Sequence, residues 1–254
     1  MSHLNQYPAQ AHSVRHAVNH EVLTYANFSN ERLAWLAGLP IAATAAFYVL
    51  PETLQDCLAV QFIPQLLGFI GLGFWIFANT GALHRLGLAI HLLPQGLWWG
   101  GLTGLLLGSL NTAVILDWVP AHGWDITFLK ETPHARLSPY LMVPWVIVGI
   151  AIGVELHFRG FVLGRLFVLC RSWRLNARVW RGYVQMALAV CISAVVFAWD
   201  PFMTQTFRHL HWIALWDGMV WGGLWVCQRN LYTVIVAHAV EVLFMYLNIR
   251  AALL

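Results

Sequence analysis

Seven long apolar runs limit what this chain can become. They lie at about residues 33–50, 58–79, 96–116, 139–158, 183–200, 211–227 and 231–249. Each is near the ~20 residues with which a helix, rising about 1.5 Å per residue, crosses ~30 Å of hydrocarbon. Without water, a backbone there must satisfy itself inside a helix or a closed barrel. These runs are too long and too continuous for barrel strands. The expected fold is all-α: a polytopic membrane helix bundle of about seven transmembrane helices.

Composition agrees. The 254 residues are 59% hydrophobic and 10% charged, whereas a soluble domain is closer to about a quarter charged. Fourteen Trp residues suit aromatic belts at two membrane interfaces. A net charge of +3 needs no nucleic-acid partner. Cys57, Cys170, Cys191 and Cys227 have no CxxC spacing and read as packed free thiols. Residues 1–30 form a polar tail without an apolar h-region, so no cleavable signal is expected. His12, His16 and His20 recur every four residues there; a metal site is conceivable, but a solvated tail is the plainer reading. Residues 31–254 are expected to be one transmembrane domain. Neither an internal repeat nor a linker divides them.

Charge sets the expected orientation. Arg165, Arg171, Arg174, Arg178 and Arg181 crowd the connection between the fourth and fifth runs. With alternating spans, Arg15, Arg32, Arg85 and Arg229 share that side, while Lys130, Arg136, Arg208 and Arg250 share the other. The positive-inside rule then makes the N-terminus cytoplasmic and the C-terminus external. The loop 117–138 becomes the main external feature. The expected location is a bacterial cytoplasmic (inner) membrane.

Four of the runs carry groups that lipid rejects. The fourth has Glu155, His157 and Arg159; the fifth ends at Asp200; the sixth has Asp217; the seventh has His238 and Glu241. A charge at a bilayer centre costs about 2.5–3.5 kcal/mol on insertion scales, so such residues face one another or a cavity. Glu155 and Arg159, four apart, share a helix face and can pair, as His238 and Glu241 can at a spacing of three. A Glu, an Arg and a His gathered in a shielded cavity could do general acid–base work, the Glu taking a proton from water and the His steadying an oxyanion. Glu155, His238 and Glu241 are also suitable ligands for a divalent metal, although no cofactor is expected. The bland alternative is a polar knot: Glu155 neutralises Arg159, and His238 bonds to Glu241 or a backbone carbonyl.

The stretch GVELHFRGFVLGRL resembles the first motif, Glu-Glu-x-x-x-Arg, of the CPBP family of CAAX-protease and bacteriocin-processing intramembrane proteases. SAVVFAWDPFM resembles the family's Phe-x-x-x-His element, and DGMVWGGLWVCQRNLYTVIVAHAVEVL its closing helices with a His-x-x-x-Asn motif. The resemblance covers about residues 80–248. It implies a membrane-embedded endopeptidase fold and matches Glu155, Arg159 and His238 to family positions. The family's water-activating Glu falls on Val154, its second-motif His on Pro201 and its Asn on Val242. Phe207 and His211 offer a weaker second match.

Catalytic groups that act as a unit fail together. The resemblance with its departures therefore implies a member that no longer cleaves and instead binds a membrane partner, as a chaperone, assembly factor or accessory subunit of a larger complex in the bilayer. Two alternatives stand beside it. One is an active endopeptidase with a shifted site, in which Glu155, Arg159 and His238 work with Asp200, Glu241 and His157 in support. The other is a cavity that binds a small molecule or ion.

Overall fold

The structure, a computed structural model, describes residues 31–172 and 181–253. Among them every regular element is a helix. The helices that build the site are α1 (Gly38–Phe47), α2 (Ile63–Ala78), α3 (Leu93–Ala113), α4 (Val148–Glu155), α5 (Gly164–Ser172), α6 (Arg181–Ala198), α7 (Pro201–Phe207), α8 (Ile213–Gln228) and α9 (Leu231–Leu253). Each apolar run thus holds a helix.

The seven expected spans are not equal in length. Among the described residues three helical stretches are long and apolar enough to cross a membrane: Ala82–Ala121, Pro139–Arg171 and Leu231–Leu253. A fourth appears if Gly182–Ala198 and Pro201–Leu210, bent by 52°, count as one. Ala34–Phe47 and Ile63–Ala78 are shorter apolar helices, and α8 has 16 residues. Proline is one reason. Pro64 starts α2 instead of interrupting it, because a helix tolerates proline only in its first turn. Pro201 starts α7 in the same way.

The central packing is α3 against α9. A Cβ at Gly96 would meet Tyr232, at Gly100 Thr233 O and Val236, at Gly104 Ala237 O and Val240, and at Gly108 Phe244 and the Glu241 backbone. Partners advance by four as the glycines advance by four, so the two helices run parallel. This small-residue stripe lets two backbones touch, which is how helices gain packing where lipid removes the hydrophobic drive. Helices α6 and α8 do the same in antiparallel register, Gly218 on Ala194 and Gly222 on Val190.

Other expectations change. Trp75, Trp221 and Trp225 are fully buried or nearly so, and therefore belong to the core and not to a belt. Arg165 is buried with its guanidinium 3.8 Å from the centre of the Trp75 ring, so it is not a loop charge. The cysteines are free, but only Cys170 is packed; Cys57, Cys191 and Cys227 are exposed. The loop after α3 folds back, so that Phe128 and Leu129 pack with Ile115, Val119, Leu210 and Ile213. His12, His16, His20, Arg174 and Arg178 lie outside the described residues.

Candidate functional site

Glu155 ends α4, and the next eight residues, Leu156–Leu163, wind as a π-helix. Such turns are rare and concentrate at functional sites. Ser193 Oγ of α6 donates to the Phe158 carbonyl in this stretch at 3.1 Å. Arg159 Nη1 donates to Glu155 Oε1 at 3.2 Å, with both side chains shielded. The same oxygen lies 2.8 Å from His238 Nδ1 of α9. An ionised carboxylate only accepts, so Nδ1 carries the hydrogen, and His238 presents Nε2 away from Glu155.

Aromatic rings close this group. The Arg159 guanidinium lies 4.4 Å from the Phe197 ring centre and 5.0 Å from that of Trp221. Trp221 in turn stacks on His238, with centroids 4.5 Å apart and planes 18° apart. Cation–π contact stabilises a desolvated guanidinium. Arginine and histidine are thus held to one carboxylate and to one indole.

A second group stands apart from the first. Asn111 Nδ2, near the end of α3, donates to Glu241 Oε1 at 2.6 Å and to Asp217 Oδ1 and Oδ2 at 3.1 and 3.2 Å. Asn111 Oδ1 accepts from Trp216 Nε1 at 2.9 Å. Asp217 and Glu241 thus share one amide donor, Asn111. His238 therefore bonds to Glu155 and not to Glu241. The knot expected within α9 is replaced by two knots that tie α9 to its neighbours.

The remaining candidates lie elsewhere. Asp200 caps α7, with Oδ1 accepting from Phe202 N at 3.1 Å and from Gln65 Nε2. His157 sits between Phe69 and Phe158, ring centroids 5.6 and 4.3 Å away. It fills the space left by Gly68, where a Cβ would overlap its ring. His211 bonds to the Arg208 carbonyl through Nδ1 at 2.6 Å and has no part in either group.

These elements surround a largely apolar cavity of about 500 Å³. Its wall includes Val154, His157, Asp200, Asp217, His238, Glu241 and Val242. Glu155, 0% exposed, is not among the residues that line it, while its neighbour Val154 is. Along α9 the lining runs from His238 through Glu241, Met245 and Ile249 to Arg250, and Lys130 is also part of the wall. Among the described residues no three His, Cys, Asp or Glu side chains form a group suited to a metal.

Asn111, Gln65, Trp216 and Trp221 are the participants that sequence reasoning missed. Asn111 had a signal: an amide inside LLLGSLNTAVIL is as unwelcome in lipid as the charges that drew attention. Asp217 was noted as ionisable but had no partner until the fold supplied Asn111.

Residues 136–244 match the family described as Type II CAAX prenyl endopeptidase Rce1-like. The family resemblance carried by the three motifs therefore holds, over a shorter stretch than the 80–248 expected. No curated protein matches the chain. No solved structure does so either.

Proposed function

We propose that this integral membrane protein keeps the CAAX-protease type of fold without its glutamate chemistry. In this reading its cavity receives an apolar segment of a membrane partner, and the protein acts as an assembly or accessory subunit. One observation carries the reading. Glu155 Oε1 accepts from Arg159 and His238, and Glu155 is not among the residues that line the cavity, while Val154 and Val242 are. The resemblance assigns water activation to the position of Val154, and valine can neither take a proton nor hold water. The cavity is of ligand size, since such sites run to about 300–1,000 Å³.

The test is purified protein in vesicles with a membrane-anchored peptide. The expected result is a bound, intact peptide. Cleavage that disappears in Glu155→Gln would overturn the reading.

A second reading rests on the Asp217–Glu241 pair, which lines the cavity. Two carboxyls held on one amide can divide acid and base roles when one of them is protonated. The ionised one takes a proton from water as the water oxygen attacks a carbonyl, and the other protonates the carbonyl oxygen. Collapse of the hydrated adduct breaks the C–N bond and returns a proton to the amine. Cleavage lost in Asp217→Asn but kept in Glu155→Gln would establish this route.

A further inference from the structure

We infer that the cavity recognises one cation, the Lys or Arg side chain of an apolar partner segment, at Asp217 and Glu241. The inference rests on the cavity-binding reading above and names what the occupant must carry.

Among the described residues the side chain that donates to Asp217 and Glu241 is a neutral amide, Asn111, whose own oxygen accepts from Trp216. Arg159 donates through Nη1 to Glu155 instead. A carboxyl pair 5% and 1% exposed in a membrane helix bundle is costly, and such groups persist where a partner or a ligand compensates them. An ammonium, with three donors, or a guanidinium, with five, can engage both carboxyls at once.

Other atoms point to an occupant. Asp200 Oδ2 and Tyr246 Oη have no hydrogen-bond partner, on side chains that are 2% and 6% exposed. Both residues line the same cavity. Buried polar atoms in native proteins are nearly always satisfied, so these two await donors or acceptors from whatever fills the space.

The position of the cation is set by the wall. Arg250, farther along α9, and Lys130 also line the cavity. Arg250 lies nine positions beyond Glu241 on α9, about 13 Å at the helical rise. A basic side chain is therefore welcome at the level of Glu241 and repelled at the level of Arg250. Between the two, Met245, Ile249 and Val242 favour an apolar chain.

The experiment uses the full chain in neutral phosphatidylcholine vesicles. Dansyl-labelled apolar peptides of about 20 residues carry a central Lys, Leu or Glu, and binding is read by energy transfer from tryptophan. The Lys peptide is expected to bind tighter than the Leu peptide by on the order of tenfold, the scale of one charge-assisted hydrogen bond, and the Glu peptide weakest. In Asp217→Asn/Glu241→Gln the Lys advantage should vanish while Leu-peptide binding persists. Equal binding of Lys and Leu peptides to the parent protein, a comparison that needs no variant to fold, overturns the cation site and leaves the cavity reading standing. A Lys advantage that survives in a folded double variant also overturns it. Absence of binding by every peptide overturns both.

Discussion

Glu155 and His238, 83 positions apart in sequence, meet through one carboxylate oxygen and one ring nitrogen at 2.8 Å. That contact ties the π-helical stretch after α4 to the middle of α9. Arg159 donates to the same oxygen, so one carboxylate braces the two elements together.

The brace can be weighed by removing Arg159. Arg159→Leu leaves Glu155 in low dielectric with His238 alone, and breaking a buried ion pair costs about 3–5 kcal/mol. Thermal melting in detergent should show a large drop. A variant that melts like the parent would mean that the 3.2 Å pair does not exist in the folded protein.

Gly100 and Gly101 make a matched pair. A Cβ at Gly100 would press on Thr233 O and Val236, while one at Gly101 meets nothing within 4 Å. Gly100→Ala should destabilise by about 1–3 kcal/mol through overpacking. Gly101→Ala should be neutral or stabilising by up to roughly 1 kcal/mol, since glycine is a poor helix former. Equal effects in the melt would show that α3 does not lie on α9 in this register.

Asn111 is predicted to matter more than its single amide suggests. Asn111→Leu strips Asp217 and Glu241 of the donor they share, and an orphaned buried acceptor costs about 1–3 kcal/mol. Asn111→Asp should be worse, because it adds a third carboxyl to the pair. Should Asn111→Asp prove as stable as the parent near neutral pH, the bridge described for the three residues is wrong.

His157 and Gly68 are coupled by space. Gly68→Ala forces the imidazole out of its slot between Phe69 and Phe158. In Gly68→Ala/His157→Ala the obstacle and the obstructed ring are both gone. A double-mutant cycle should therefore give a favourable interaction energy within the ~0.5–3 kcal/mol that contacting residues show. Strict additivity would contradict the packing.

Much of this was legible in one dimension. The apolar runs fix helices because a peptide group in lipid has no other partner. The pairing of Glu155 with Arg159 follows from a spacing of four. The stripe Gly96, Gly100, Gly104 and Gly108 announces a close helix contact. Each of these is a local property, set by periodicity along a single element.

What sequence alone could not decide was which element each side chain would meet. His238 and Glu241, three apart on α9, looked like partners for each other. In the fold one bonds to Glu155 on the π-helical side and the other to Asn111 on α3. Likewise, adjacent Val154 and Glu155 face different surroundings, one the cavity and one the protein interior. Helical spacing determines which residues share a face, but only the packing of separate helices determines what that face touches. Long-range contacts between chemically similar apolar helices leave no mark on local pattern, and so the meeting of Glu155 with His238 belongs to the tertiary structure.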